Sequence, residues 1–493
     1  MNKMADELVF VGQILDNVHG FIPYTKAEES IMETQLFKRL QSIKQLSVVN
    51  WVFPGSEHTR FIHSLGVMHI ADKMAMSLGL SSKERKLIRL AGLLHDIGHY
   101  PLSHVCEGPY KKNFALWELD DEKYCQEINK NIVAKIENFS IDAKTTFMSR
   151  STGFHHEAVG ALIVQNNKEI HDIIVQECED ENAPKIIADI ITGNVERAET
   201  NPLLVQIIHS ELDADGIDYL MRDATFSGTS FGSCEIDMLI SSLKVGVHKG
   251  TQIMCVSPKG IAAADQYLIN KFFSYSQVVF NRHIVISEWM AEQVVNWMQK
   301  HRAIFPNGTT LENWATKDYD SYLAFTDNMF WSALGRILSN ELSDLVPHYI
   351  KTFCKYLLHH DEPNFIKASE IRLVSNSTDE VGKELQKASI MQDDKTHSKL
   401  ITILSQRRMS NQVSYEKFMD TIEQRKGDVG SSEIVEDEIP QLQISRLMEC
   451  ISIVEEDGSI HLLCDDPRSL MRTMCDSTLV ILRSYEFPQE LSK

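Results

Sequence analysis

The stretch from Leu93 to His104 reads LLHDIGHYPLSH and places three histidines and one aspartate directly after an apolar run. The preceding segment 83–97 repeats apolar residues at intervals of three and four, which predicts a core-facing helix. Pro101 cannot continue such a helix, because proline lacks the backbone N–H and clashes with the preceding turn. The sequence therefore predicts a core-facing helix whose end carries side chains that can bind a metal ion or transfer a proton.

Metal binding at this helix end needs ligands from elsewhere in the chain. The spacing predicts that His95 and His99 face one side of the helix, with Asp96 about 100° away. Upstream, HTRFIHSLGVMH offers His63, and downstream ELDADGIDYLMRD offers several carboxylates, among them Asp215. Two imidazoles and two carboxylates form a mixed shell suited to Mn, Fe, Ni or Mg more than to a sulfur-rich zinc site.

Composition is typical of a soluble globular protein. The chain has 493 residues, 43% of them hydrophobic and 24% charged, enough for one large core and a smaller appendage. No apolar run approaches the ~20 residues that span a bilayer, so a membrane is at most a surface partner. The N-terminus lacks the basic start and apolar region of a signal peptide. The nine cysteines include no CxxC pair, which favours a reducing, cytoplasmic location.

Net charge limits the expected partners. A formal charge of −20 argues against a globally basic nucleic-acid surface, but it is compatible with a local cationic pocket for phosphates.

Apolar periodicity predicts a mainly α fold. The first 25 residues combine β-branched and aromatic residues with turn signals and predict short strands. Asp457-Gly458 predicts a hairpin turn near the C-terminus. Helical spacing is found over 26–47, 59–79, 83–97, 156–166, 185–192, 202–210, 216–222, 234–244, 261–301 and 343–360.

Three regions are expected along the chain. Residues 1–375 are predicted to form the helical core with a helical extension. Residues 376–440 are polar and acidic and predict a mobile connecting region, with a helical piece near 398–425. Residues 441–493 predict a small α+β C-terminal lobe.

Several ordered blocks resemble a known family. DNVHGFIPYT, FKRLQSIKQL, FPGSEHTRFIHSLGVMH, AGLLHDIGHYPLSH, FHHEAVG and LDADGIDYLMRD are similar, in order, to the deoxynucleoside triphosphate triphosphohydrolase branch of the HD superfamily. The resemblance covers roughly residues 14–290. It implies a helical HD-domain core, one divalent metal per site, with zinc a further candidate, and hydrolysis of a deoxynucleoside triphosphate to deoxynucleoside and tripolyphosphate.

The resemblance also implies residue roles. It assigns four metal ligands, which are the two imidazoles and two carboxylates described above: His63, His95, Asp96 and Asp215. Its active-site histidines correspond to His99, His104 and His156. Its phosphate- and sugar-binding residues correspond to Arg60, Asp213, Tyr219 and Asp223.

The sequence departs from the family pattern around the phosphate and the sugar. Gly216 stands where relatives carry Lys or Arg. The family's arginine, its sugar-stacking tyrosine and its His-Lys pair correspond to Lys271, Val279, Asn281 and Arg282. Lys271 and Arg282 are therefore the candidate cations for binding the substrate.

These departures keep two other functions open. The first is an HD phosphodiesterase or nuclease that acts on single-stranded nucleic acid or another nucleotide. The second is a regulatory module that senses a nucleotide. The family further implies a nucleotide activator and a homo-oligomer, either a dimer or a tetramer.

Overall fold

A computed structural model describes residues 8–111, 155–195, 201–299, 305–339, 346–360, 367–375, 383, 400–410 and 438–486. It is predominantly helical with small sheets, as the sequence predicts. No helix within these ranges is both long and apolar enough to cross a bilayer. The predicted connecting region 376–440 lies mostly outside the described residues.

The first two described strands are the short strands predicted near the N-terminus, and they form a hairpin. Strands β1 (Phe10–Asp16) and β2 (Gly20–Thr25) pair antiparallel. The Asp16 carboxylate accepts the backbone N–H groups of residues 18 and 19, each at 2.9 Å, and Gly20 takes a positive φ of 70°. A glycine at this turn adopts that conformation without steric cost.

Helices form the body of the molecule, and those of the first half position the site. The α4 helix starts with a capping box, in which Ser81 and Glu84 satisfy each other's backbone N–H groups. The bounds of the early helices are α1 Lys26–Glu33, α2 Gln35–Lys38, α3 Arg60–Ser77, α4 Ser82–Leu94, α5 His104–Lys111, α6 His156–Asn166, α7 Lys168–Cys178, α8 Ala183–Thr192, α9 Pro202–Ile208 and α10 Ala214–Ser227.

Later helices surround this core. Their bounds are α11 Ile236–Ser241, α12 Ile261–Ser274, α13 Arg282–Met298, α14 Gly308–Thr316, α15 Tyr319–Leu323, α16 Asp327–Leu338, α17 His348–His359, α18 Glu438–Glu449 and α19 Met471–Met474.

Two further sheets join distant parts of the chain. The first has the order β3-β4-β7-β8 and the second the order β5-β9-β6. The strands are β3 Leu243–His248, β4 Thr251–Val256, β5 Lys367–Ser375, β6 Leu400–Arg408, β7 Ser452–Val454, β8 Ile460–Leu462 and β9 Thr478–Glu486. The predicted lobe 441–493 therefore shares both sheets with strands from the predicted core, β4 and β5.

Three predicted helices differ from the structure. The helix predicted over 26–47 is split, because the Thr34 side chain caps a new helix at Phe37 N–H and 3₁₀ turns follow. The helix predicted over 261–301 is interrupted by a π-turn, Tyr275–Val279, and restarts where Asn281 accepts the His283 N–H. The piece predicted as helical near 398–425 is a strand over 400–408, because pairing with β9 satisfies its backbone; residues 411–425 lie outside the description.

Close helix packing brings the site together. A Cβ added to Gly66 on α3 would lie 1.8 Å from Asp218 Oδ1 on α10. A Cβ added to Gly92 on α4 would lie 3.1 Å from the Met68 backbone on α3. Gly92 therefore allows the backbones of α3 and α4 to approach closely, and Gly66 leaves room for the Asp218 carboxylate.

Candidate active site

Four predicted metal ligands lie together at the meeting point of α3, α4 and α10. His63 projects from α3, His95 and Asp96 follow the last residue of α4, and Asp215 lies in the first turn of α10. The Nε2 atom of His63 is 2.9 Å from Asp215 Oδ1 and 3.8 Å from Asp96 Oδ2. The Nε2 atom of His95 is 3.5 Å from Asp96 Oδ1 and 4.0 Å from Asp215 Oδ1.

The orientation of both imidazoles fits a metal ion. The Nδ1 atom of His63 bonds Asp218 Oδ2 at 2.7 Å, and that of His95 bonds the Gly92 carbonyl oxygen at 2.7 Å. Among the described residues, neither Nε2 atom has a hydrogen-bond partner of acceptable geometry, although both are buried. Metal-bound histidines usually have one ring nitrogen held in this way, which directs the other nitrogen at the ion.

The charge of the cluster calls for a cation. Burial disfavours a charged imidazole, yet Asp215 and Asp218 raise the pKa of His63 to about 10. Burial would likewise raise the pKa of Asp96, but the Arg60 guanidinium, with Nη1 2.7 Å from Asp96 Oδ2, holds it well below its usual value. The carboxylates therefore stabilise positive charge at this point, whether it is a proton or a divalent ion.

Asp218 supports this cluster from behind. Its carboxylate bonds His63, Arg222 and the His19 ring, the last at 2.5 Å. Asp218 and Asp223 are both buried, and the Asp223 carboxylate bonds His58 Nε2 at 2.8 Å.

The prediction that His95 and His99 face the same side of a helix is wrong, because α4 ends before both residues. The helix ends at Leu94, and bonds from Ile97 N–H to the Leu94 carbonyl oxygen and from His99 N–H to the Asp96 carbonyl oxygen tighten the chain into turns. His95 therefore turns to His63, with ring centroids 5.2 Å apart, while His99 turns to a second cluster.

The second cluster contains the three predicted active-site histidines. The His99 ring stacks on His156 at 4.2 Å between centroids and lies 5.0 Å from His104. Glu107 joins two of them, because its carboxylate bonds His104 Nδ1 at 2.8 Å and His156 Nδ1 at 3.0 Å. Glu107 was not among the predicted site residues. Its spacing of three residues from His104, on the same helix, could have indicated this contact.

The histidines of this cluster differ in charge. Burial, followed by the nearby Arg60 charge, holds the pKa of His99 well below its usual value. The Tyr100 N–H donates to His99 Nδ1 at 3.0 Å, so the neutral ring carries its proton on Nε2. In His156, burial opposes the charged form, but Glu157 and Glu107 raise the pKa to about 9. The cluster thus combines a neutral imidazole with a charged one.

A cavity of about 790 Å³ is lined by members of both clusters, and this volume is within the range of roughly 300–1,000 Å³ for small-molecule sites. The lining members are His95, Asp96 and Asp215 of the first cluster and His104 and His156 of the second. Several predicted substrate residues also line the cavity: Arg60, Asp213, Tyr219 and Asp223. Asp213 also caps α10 by accepting the Gly216 N–H at 2.7 Å. Arg282 is exposed at the start of α13 and is not part of the cavity lining, so the structure does not bring it to the site.

Lys271 lies beside the position where relatives carry a cation. A Cβ at Gly216 would lie 2.4 Å from Tyr267 Oη and 3.3 Å from Lys271 Nζ. Lys271 is buried, and its Nζ lies 5.6 Å from the Tyr219 ring centroid. Two residues of α12 therefore fill the space that a longer side chain at 216 needs, and one of them supplies a positive charge.

Two polar residues of the cavity were also missed. Gln45 and Ser47 line it and are buried, and neither Gln45 Oε1 nor Ser47 Oγ has a hydrogen-bond partner within the described part of the chain. Ser47 also has a positive φ of 50°. Gln45 lies within the block FKRLQSIKQL and Ser47 directly follows it, but no local pattern indicated that either side chain lines the site.

Comparison with known proteins agrees with this geometry. Residues 60–136 match the model of the HD domain, and the match includes His63, His95 and Asp96. The chain therefore carries an HD domain. An uncharacterized Mycoplasma pneumoniae protein, an MG461 homolog, is 29% identical over 313 residues, which are 62% of this chain and 65% of that protein.

A second relative has a named activity. The Dictyostelium discoideum deoxynucleoside triphosphate triphosphohydrolase SAMHD1 homolog is 28% identical over 242 residues. These residues are 47% of this chain and 39% of that protein. The match therefore spans less than two thirds of either relative. A hypothetical protein from Aquifex aeolicus, of known crystal structure, shares the fold, with a TM-score of 0.62, 21% identity and 97% coverage of both chains.

Proposed function

We propose that this HD protein hydrolyses deoxynucleoside triphosphates to deoxynucleoside and tripolyphosphate. The observation that carries the proposal is the pair of buried Nε2 atoms of His63 and His95, which face the carboxylates of Asp96 and Asp215 beside a cavity that His104 and His156 also line. The resemblance of the ordered sequence blocks and the named Dictyostelium relative support the nucleotide substrate.

The residues divide the reaction between them. His63, His95, Asp96 and Asp215 would hold a divalent ion, which would polarise a water molecule and neutralise phosphate charge. Arg60 opens onto the same cavity and adds charge for a phosphate oxygen. A new bond forms between the water oxygen and the α-phosphorus, and the bond from that phosphorus to the nucleoside 5′ oxygen breaks. His104, held by Glu107, gives the leaving oxygen its proton.

Product analysis tests this function. The purified protein is incubated with Mn²⁺ and each dNTP, each NTP, mixtures of them, or a labelled single strand, and the products are resolved by anion exchange. We expect tripolyphosphate and deoxynucleoside from dNTPs, and nothing from Asp96→Asn. Shortened strands or monophosphates would instead indicate a nuclease or another phosphohydrolase, and an absence of products alongside nucleotide binding would indicate a sensor.

We further propose that the protein forms a homo-oligomer through the N-terminal hairpin. Leu15 and Phe21 are paired across β1 and β2 and are 69% and 60% exposed, beside exposed Val11. An exposed apolar face of this kind usually marks an interface. We expect Leu15→Lys to lower the sedimentation mass of the assembly without changing the circular dichroism spectrum, and an unchanged mass would contradict this interface. Exposed Met76→Lys, on α3, is the matched control.

The proposed location is the cytoplasm. Every cysteine in the described ranges is unbridged, and all but Cys234 are buried, which is typical of a reducing compartment.

A further inference from the structure

The candidate active-site cavity extends to a strand far from the predicted ligands in sequence. Residues Ile403 to Gln406 of β6 line the same cavity as His95, Asp96 and Asp215. This strand belongs to the C-terminal sheet, more than 180 residues after the last predicted metal ligand in sequence. The wall of the site is therefore completed by a distant part of the chain.

The cavity meets β6 along its edge. Successive side chains of a strand point to opposite faces, so four consecutive residues can line one cavity only where the cavity lies beside the strand edge. In the described sheet, β6 pairs with β9 and lies at the end of the order β5-β9-β6. The edge that β9 leaves unpaired carries backbone donors and acceptors that a bound molecule can use.

Specific contacts hold β6 against the helical core. The Arg407 guanidinium carbon lies 4.1 Å from the centroid of the Tyr275 ring, and Tyr275 itself lines the cavity. Just after the strand, Ser410 Oγ donates to Glu211 Oε1 at 2.5 Å, next to the segment that carries Asp215. The strand thus has a fixed position relative to the candidate metal ligands.

The lining on this side differs in chemistry from the metal side. Ile403 and Leu404 are apolar, Gln406 offers an amide, and Phe280 adds an aromatic ring to the same cavity. Histidines, aspartates and Arg60 suit a metal and phosphates, whereas an apolar wall with a few hydrogen-bonding groups suits a sugar and a base.

We propose that β6 forms the wall that receives the nucleoside end of the substrate, and that Leu404 and Gln406 help to determine which nucleotide binds. This inference rests on the proposed nucleotide substrate. It assigns to the C-terminal sheet a direct part in specificity.

Binding measurements test the wall without requiring turnover. Isothermal titration with Mn²⁺ measures the Kd of analogues of the four dNTPs and of the base-free 2′-deoxyribose triphosphate. In each of them a methylene group replaces the 5′ oxygen, so the bond that breaks in the proposed reaction is absent. The full chain is compared with Leu404→Ala and Gln406→Ala. Val374→Ala is the control, because Val374 lies on β5 of the same sheet, is 55% exposed and does not line the cavity.

We expect both wall variants to weaken binding of at least one dNTP analogue by about tenfold, the usual scale for a lost pocket contact. The base-free triphosphate and the control should show unchanged values of Kd. Unchanged affinities in both wall variants, or equal losses for the analogues and the base-free triphosphate, would overturn the inference. If the wall variants weaken analogue binding but the unmodified chain releases no tripolyphosphate, the proposed reaction is wrong, whereas the inference that β6 contacts the nucleoside is supported.

Discussion

His63 illustrates how much of the site depends on single buried contacts. Its position on α3 is set by helix geometry, but its ring orientation is set by Asp218, which also bonds His19 from the first hairpin. Arg222 then bonds both Asp218 and Asp16. A continuous polar network therefore runs from the N-terminal turn to the candidate metal site, where it is protected from water.

Glu107 gives a first prediction at the scale of one residue. Glu107→Gln keeps the size of the side chain but removes the charge that holds His104 and His156. We expect kcat for dNTP hydrolysis to fall by roughly 10–100-fold, because small displacements of catalytic groups have effects of that order. Mn²⁺ affinity, measured by titration calorimetry, should stay close to that of the unmodified chain; a variant with full activity would remove Glu107 from the proposed mechanism.

His69 gives a prediction about pH and stability. Burial, with the positive charges of His19, Lys73 and Arg89, lowers the pKa of His69 to about 4 from 6.5, despite Asp72. The unfolded chain therefore takes up a proton on this residue before the folded chain does, and stability falls as the pH decreases from about 6.5 towards 4.

Each unit of pKa difference is worth about 1.4 kcal/mol, and partial exposure reduces that value. Between pH 7 and pH 4.5 we expect the unmodified chain to lose roughly 1–2 kcal/mol more than His69→Asn, measured by urea unfolding. Parallel losses in the two proteins would show that His69 does not titrate in this way.

At the scale of elements, short contacts between backbones decide which histidines meet. A Cβ at Gly98 would lie 2.2 Å from the His156 carbonyl oxygen and 2.3 Å from the Gly160 N. The turn after α4 and the start of α6 therefore touch through their main chains. This contact brings the His156 ring to within stacking distance of His99.

Gly98→Ala should push α6 away from this turn. We expect a loss of about 1–3 kcal/mol in the free energy of unfolding, the usual cost of overpacking, and a loss of hydrolysis larger than the loss of Mn²⁺ affinity. The matched control is Gly335→Ala on α16, where, apart from its own helix, no atom of the described residues lies within 4 Å of the added Cβ. A variant at Gly98 that behaves like this control would contradict the proposed role of the contact.

At the scale of the whole molecule, the C-terminal lobe and the helical body share one structure. Ile453 on β7 is fully buried and lies opposite Val256 of β4 in a parallel pair. The same hydrophobic core includes residues of α3 and residues of β9. The lobe is therefore integrated with the body that carries the candidate active site.

Ile453→Ala tests this integration. Removing the buried side chain should cost about 2–5 kcal/mol. We expect thermal unfolding followed by far-ultraviolet circular dichroism and loss of bound Mn²⁺ to shift to lower temperature together. Loss of the C-terminal structure at a temperature where Mn²⁺ stays bound would show that the lobe unfolds independently.

The helical class, the N-terminal strands and the candidate ligands His63, His95, Asp96 and Asp215 could all be predicted from the sequence. These follow from local rules: apolar periodicity, turn residues, and donor chemistry supported by ordered family blocks. The predicted helix ends were less accurate. For example, the helix predicted over 83–97 ends at Leu94, because turn hydrogen bonds replace helical ones there.

The tertiary structure was needed to show which polar groups are buried and hydrogen-bonded to each other, and which distant strand lines the cavity. Glu107, Asp218 and Lys271 acquire their positions from neighbouring helices, and β6 is a strand because β9 pairs with it. Burial and strand pairing depend on residues far apart in the chain, so no local pattern specifies them.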